Sequence, residues 1–180
     1  MLAGDLAGDL AGDVPGDVPS DLLGDLLGAA EARVASWRAA FTGLVPQDFL
    51  DGMDPAAIAS SWADSIAAGR SRLHVAVRDE QVIGYAGVGP ERDPTAPPNT
   101  GELYALYVHP AHWGTGAGRA LTDAACDDLR AVGCTAVSLW VLEANTRARR
   151  FYTTYGFTET ADRTHSSLNN LPELRLTAPL

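Results

Sequence analysis

The residues best suited to chemistry lie between positions 102 and 152. The run Val108-His109-Pro110-Ala111-His112-Trp113-Gly114-Thr115-Gly116-Ala117-Gly118-Arg119-Ala120-Leu121 sets three glycines at alternate positions between an alternating apolar stretch and an amphipathic one. Glycine lets the backbone approach a ligand closely and adopt angles closed to other residues. At a helix start the free N–H groups converge on one spot and the dipole adds positive potential. Together these make an anion cradle from the main chain, whose natural ligand is a pyrophosphate. The alternative is a glycine turn without a ligand, where three such residues would lower stability without a compensating contact. A dinucleotide fingerprint counted from Gly114 needs glycine where Arg119 stands, and no acidic residue clearly closes a later strand, so a nucleotide-binding oxidoreductase does not fit.

Two further groups carry polar chemistry. Glu102-Leu103-Tyr104-Ala105-Leu106-Tyr107-Val108 alternates, which predicts that Glu102, Tyr104, Leu106 and Val108 face one way. A carboxylate on a mostly buried strand needs a reason: it is a structural hydrogen-bonded group or a base. Asn145 and Tyr152 are seven residues apart, two helical turns, and so share a helix face. Tyr152 is either a core aromatic with a bonded hydroxyl or a proton donor. Asn145 is suited to capping a helix.

The elements that must position these groups follow from periodicity. A helix starts near Ser20, with Leu22, Leu26, Ala30, Val34, Trp37 and Phe41 on one face, and ends at Thr42-Gly43. Asp54-Pro55 opens a second helix running to about Ala68. Residues 73–77 and 81–88 form a hairpin, and 89–100 is a proline-rich loop. A strand over 101–109, a helix over 116–132 closed by Gly133, a strand over 136–142 and a helix from Asn145 to Tyr155 stopped by Gly156 come next. Residues 157–160 and 174–177 make a last strand pair, with a loop at 161–172 between them. The order predicts one mixed α/β domain.

Composition narrows the classes. The formal net charge of −10 argues against nucleic acid as a main partner and mildly favours a cationic substrate. Six aspartates and no base lie in residues 1–28, a four-residue Gly/Asp repeat that reads as a low-complexity tail, or else as a partner-binding strip, ahead of a domain at 29–180. The chain has no lysine, which excludes a Schiff base and a Walker-type loop. Cys126 and Cys134 make no disulfide framework, and the histidines lack metal spacing, so no metal is expected. Neither a span of about 18 apolar residues nor a secretory leader is visible, which sets the expectation of a cytoplasmic protein without membrane partners.

The glycine turn resembles the coenzyme A loop of the GNAT superfamily of N-acetyltransferases, Gln/Arg-x-x-Gly-x-Gly/Ala. Trp113-Gly114-Thr115-Gly116-Ala117-Gly118 matches the spacing, with Trp113 in place of Gln or Arg. Asn145-Thr146-Arg147-Ala148-Arg149-Arg150-Phe151-Tyr152-Thr153-Thr154-Tyr155-Gly156-Phe157 resembles a second signature of that family, Asn-x-x-Ala-x-x-Phe-Tyr-x-x-x-Gly-Phe, at every fixed position. Together the two signatures and their connecting strands cover about residues 101–157.

The resemblance implies a mostly antiparallel central sheet flanked by helices, with a bulge that splays the strand at 101–109 from that at 136–142. It implies acetyl-coenzyme A as co-substrate and direct attack by a primary amine in a ternary complex. Its phosphates would bind at Gly114, Thr115, Gly116, Ala117, Gly118 and Arg119, and its pantetheine arm would lie against Leu106, Val108 and Asn145. The Leu106 N–H would polarise the thioester, and Tyr152 would protonate the departing thiolate. Glu102 would be the base, with Tyr104 or water in reserve. Arg147, Arg149 and Arg150 form a solvated face or an adenosine-phosphate contact. The first helices and the loops at 89–100 and 161–172, with His165, would grip the acceptor, a small-molecule or peptide amine. A homodimer is compatible with the family. The family's opening strand would fall at residues 14–18 or be absent. A coenzyme A-binding regulatory module without turnover is the second reading; the presence of both Glu102 and Tyr152 favours an enzyme.

Overall fold

The computed structural model describes residues 20–166 and 170–180. The expected opening strand and residues 1–19 of the Gly/Asp repeat lie outside the described residues. Helix α1 spans Ser20–Phe41, α2 Gln47–Asp51 and α3 Pro55–Ala67. Strands β1 (Arg72–Arg78), β2 (Gln81–Pro90) and β3 (Thr100–Val108) follow, then α4 (Ala117–Ala131), β4 (Ala136–Leu142), α5 (Thr146–Tyr155), β5 (Thr158–His165) and β6 (Pro172–Pro179). The six strands form one sheet ordered β1-β2-β3-β4-β6-β5, in which β3–β4 is the parallel pair.

Local chemistry explains the boundaries. Asp54 caps α3 by accepting from the Ala56 N–H at 2.9 Å, with Pro55 at the first helical position. Gly133 and Gly156 take positive φ just beyond α4 and α5, where a side chain would strain the chain. Helix α1 crosses residue 28 without a break, and Leu26 is fully buried, so the composition change at that point is not a boundary of secondary structure. The short α2 carries no period strong enough to read from sequence.

One face of α1 supplies much of the core. Trp37 packs on Phe41, Phe49 and Tyr107 at ring separations of 5.0, 5.6 and 6.5 Å, and Trp62 of α3 meets Tyr85 at 4.7 Å. On the opposite side of the sheet Leu129 of α4 lies against Gly101 so closely that a Cβ there would sit 2.5 Å from it. Hence α1 and α3 cover one face, and α4 covers the other.

Two expectations need correction. The stretch 161–172 is not all loop: β5 runs to His165 and β6 begins at Pro172, so the connection shrinks to 166–171. β5 is an exposed edge strand with an irregular register between Glu159 and Arg163, and it shows no clean alternation to read. The alternation of β3 also fails, because its register against β2 shifts: Val88 opposes Leu103, but Gly87 opposes Ala105. Tyr104 is the extra residue of a β-bulge, and a bulge reverses the side of every later residue. Glu102 therefore lies on the α1 side and Val108 on the α4 side. Among the described residues no helix is long and apolar enough to cross a membrane.

Candidate active site

The parallel strands β3 and β4 pair over only three rungs, Thr100↔Ala136, Gly101↔Val137 and Glu102↔Ser138. Beyond Glu102 they separate, although β3 continues for six residues and β4 for four. The bulge at Tyr104 bends β3 away at the point of separation. The sheet thus holds an opening in its middle, bordered by Leu106 and Val108 on one side and by Val141 and Leu142 on the other.

The glycine turn follows the far end of β3. Gly114 and Gly116 have φ of 78° and 93°, and a Cβ built on either meets nothing within 4 Å, so both border open space. Gly116 starts α4 with no side-chain cap. The first bond of that helix ladder runs from Ala120 N–H to the Gly116 carbonyl at 3.0 Å, which leaves the N–H groups of Ala117, Gly118 and Arg119 ahead of the ladder. These donors suit a pyrophosphate.

Trp113 fixes the turn. Its indole N–H donates to the Val108 carbonyl at 2.7 Å, and Ser36 Oγ donates to the same oxygen at 2.6 Å. The Arg147 guanidinium stacks 4.2 Å from the Trp113 ring centre. Arg147 thus braces the loop through an aromatic ring. Phe151, one turn further along α5, lies 3.6 Å from where a Cβ on Gly118 would be. The Asn145 side chain caps α5, accepting from the Ala148 N–H at 3.1 Å. Arg119 sits over Tyr155 at 5.5 Å.

Tyr152 is fully buried, edge-on to Phe151 and Phe157 at 5.3 and 5.4 Å. Burial, reinforced by the neighbouring Tyr107 phenol, pushes its pKa well above the usual 10, so it stays protonated at neutral pH. Cys126, in α4, is buried, and desolvation raises its thiol pKa, which makes it a poor nucleophile.

The α1 side of the opening carries charge. Glu102 is 1% exposed, and Arg92 holds both its oxygens: Nε donates to Oε2 at 3.0 Å, a terminal N–H to Oε1 at 2.5 Å, and the Arg92 backbone N–H to Oε2 at 3.1 Å. Arg92 also stacks on Tyr104 at 4.5 Å, and the Tyr104 hydroxyl donates to the Pro90 carbonyl. Burial and the Glu102 charge push the Tyr104 phenol up to about 12, so it too stays protonated. Next to this pair, buried Arg175 binds Glu91 and Asp93, each at 2.7 Å, and Ser138 donates to Glu91.

Sequence reasoning missed Glu173. It stands on β6 opposite Leu142, 4% exposed, and its Oε1 makes no hydrogen bond to the described residues. Burial pushes its carboxyl up to about 7, against the pull of the Arg92 guanidinium. A signal existed: Glu173, Arg175 and Thr177 alternate with Leu174, Leu176 and Ala178, a polar side on a strand whose other side is core. The histidines are dispersed. His109 and His112 stand 6.0 Å apart, His74 binds Asp128 at 3.1 Å, and His165 is exposed at the end of β5. Among the described residues no group of three His, Cys, Asp or Glu could hold a metal ion.

Residues 33–157 match the Acetyltransferase (GNAT) family. A mycothiol acetyltransferase of Sanguibacter keddieii is 40% identical over 130 residues, which cover 69% of this chain and 40% of that protein. This chain thus spans less than half the length of that relative. The PaiA N-acetyltransferase of Thermoplasma acidophilum, in complex with coenzyme A, superposes with a TM-score of 0.67 at 18% identity, covering 88% of this chain and 94% of that one. YncA of Salmonella typhimurium, with its cofactor acetyl-CoA, gives 0.66 at 23% identity, covering 88% and 90%. These two likenesses are of fold. With the family match extending over more than half of its length, the chain belongs to the acetyltransferase family known as GNAT.

Proposed function

We propose that this chain transfers an acetyl group from acetyl-CoA to a primary amine, with the transferase unit in residues 29–180. The observation that carries the reading is the opening between β3 and β4, which ends beside a left-handed glycine turn and an uncapped helix start. An extended arm can add along a strand where its neighbour has separated from it, by backbone hydrogen bonds, and a pyrophosphate can then reach the turn. Acetyl-CoA has both parts.

In this reading Ala117, Gly118 and Arg119 offer N–H groups to phosphate, with Gly114, Thr115 and Gly116 shaping the turn. Leu106 and Val108 lie along the arm, and Asn145 closes the opposite wall. The Leu106 N–H stabilises the oxyanion formed when the amine attacks. Tyr152, kept protonated by burial, gives its proton to the leaving thiolate. No acyl-enzyme forms. Glu102 is gripped by Arg92, and we assign this pair to fixing the loop after β2 beside the acceptor.

The acceptor is a small-molecule or peptide amine. The relatives named as mycothiol acetyltransferases favour a small molecule, and the chain's negative charge favours a cationic one.

Calorimetric titration of acetyl-CoA, followed by thiol release on a panel of amines, tests the reading. Binding in the micromolar range with release on some amine is the expected result. Binding without release would leave a coenzyme A-binding module, and absence of binding would remove the cradle.

A further inference from the structure

We infer that Glu173 is the group that takes the proton from the acceptor's ammonium. The inference rests on the acetyltransferase reading and adds the base that it leaves open.

The register of the sheet carries the argument. Residues directly opposite in an antiparallel pair share a face, so Ser138 with Thr177, Trp140 with Arg175 and Leu142 with Glu173 all lie on one side. The Arg175 guanidinium, 5.7 Å from the Trp140 ring, bears this out. Ser138 is also the partner of Glu102 across the parallel pair, so Glu173 and Glu102 share the face that α4 does not cover. The loop after β2, which the acetyltransferase reading sets beside the acceptor, lies on that face through Arg92 and Glu91.

Level along the strands separates the two carboxylates. Glu102 stands at the last rung before the strands part, and Leu106 stands three rungs further along β3 once the bulge residue Tyr104 is left out. Leu142 is four residues beyond Ser138 on β4, about 13 Å at the strand rise. Glu173, opposite Leu142, therefore stands within about one residue of the level of the Leu106 N–H, where the acetyltransferase reading puts the thioester carbonyl. Glu102 sits at the closed end.

Their surroundings differ as well. Both oxygens of Glu102 accept bonds from Arg92, which occupy its lone pairs. Glu173 Oε1 is buried and has no partner among the described residues. A buried unpaired carboxyl is costly unless something binds it, and an ammonium would. Among ionisable side chains nearby, the Arg92 guanidinium of the loop after β2 acts on it, and Arg175 lies two residues along the same side of β6; Glu143, Arg163 and His165 adjoin its partners Leu142 and Thr164 and so take the other side of the sheet. Desolvation dominates and holds the carboxyl near 7, where a base working at neutral pH is most effective.

The protons balance as follows. The ammonium gives one proton to Glu173 Oε1, and the neutral amine attacks the thioester carbon. The C–S bond breaks, the thiolate takes the Tyr152 proton, and the second proton on nitrogen restores the phenol. Glu173 returns its proton to solvent.

Two measurements test this on the full chain. Rates are measured with spermidine, 2-phenylethylamine and a peptide with a free N-terminal alanine, using whichever releases thiol. Wild-type kcat should rise tenfold per pH unit up to an inflection near 7. Glu173→Gln should lower kcat about 10²–10⁴-fold and flatten that limb, with acetyl-CoA affinity within about twofold by calorimetry. Glu102→Gln should keep the inflection. An unchanged limb in Glu173→Gln, or a lost one in Glu102→Gln, overturns the inference. Separately, carbon-13 titration of the glutamate carboxyls, assigned by the Glu173→Gln spectrum, should place Glu173 near pH 7. A midpoint below 5 overturns the inference even if no amine is turned over, an outcome that would by itself remove the acetyltransferase reading.

Discussion

The indole N–H of Trp113 donates to the carbonyl of Val108 at 2.7 Å, which ties the glycine turn back to the last residue of β3. Two borders of the proposed coenzyme site, the strand edge and the phosphate turn, are thus held in one register. Trp113 occupies the place where the family motif has Gln or Arg, and its contribution is a main-chain bond with Arg147 stacked over the ring. Trp113→Phe keeps the stack and deletes the bond. A hydrogen bond of this kind contributes about 0.5–1.5 kcal/mol. Because the Ser36 bond to Val108 remains, the expected result is a loss of acetyl-CoA affinity of about three- to tenfold with a small fall in Tm. Unchanged affinity would mean that the turn keeps its shape without the indole.

Gly116 and Gly133 flank α4 with nearly the same backbone, φ of 93° and 89°, and a Cβ at either meets nothing within 4 Å. Alanine should lower stability at both by a similar amount, roughly 1–2 kcal/mol for a left-handed L residue. Only Gly116 borders the proposed phosphate site. Gly116→Ala should therefore weaken acetyl-CoA binding at least tenfold, and Gly133→Ala should leave it intact, as read by calorimetry beside thermal melts. Equal affinities in the two variants would place the phosphates elsewhere.

What the sequence made legible was local. The glycine turn, the Asn145 cap and the Tyr152 helix face depend on residues within two turns of each other, and each lies where spacing put it. The order of strands and helices from residue 20 onward, apart from the short α2, followed from period and breakers. The bulge left no trace in the alternation of β3, because an inserted residue changes the facing of its neighbours without changing their types. The hold of Arg92 on Glu102 joins a proline-rich loop to a strand ten residues later, through a side chain whose direction no pattern sets. Glu173 could be weighed only once β6 was seen beside β4, since its level depends on a long-range register.

Glu173 also sets a pH dependence of stability. Its folded pKa is raised from 4.5 to about 7 by burial, so between those values the folded chain binds more protons than the unfolded one. Stability then falls as pH rises: the contribution is intact below 4.5 and is lost as pH passes through about 7. The slope for one such group approaches about 1.4 kcal/mol per pH unit. Glu173→Gln removes it. The difference in unfolding free energy, wild type minus variant, should decline from pH 5 to pH 8 in urea titrations. A flat difference would mean that the Glu173 carboxyl ionises as it does in an open chain.

Tyr152 separates chemistry from binding. Its ring is fully buried between Phe151 and Phe157, and those contacts survive removal of the hydroxyl. Tyr152→Phe keeps the volume and the edge-on packing, so acetyl-CoA affinity should stay within about twofold. The thiolate must then leave without a proton donor, which corresponds to a loss of about 10²–10⁴-fold in kcat. Because the phenol pKa is far above neutrality, the wild type should show no loss of rate from its ionisation up to pH 9. Turnover that depends on a good leaving group discriminates further: a thioester of a more acidic thiol needs less protonation, so Tyr152→Phe should recover part of its rate on such a substrate. If the variant loses binding in proportion to rate, Tyr152 serves the packing of α5 and the proton comes from elsewhere.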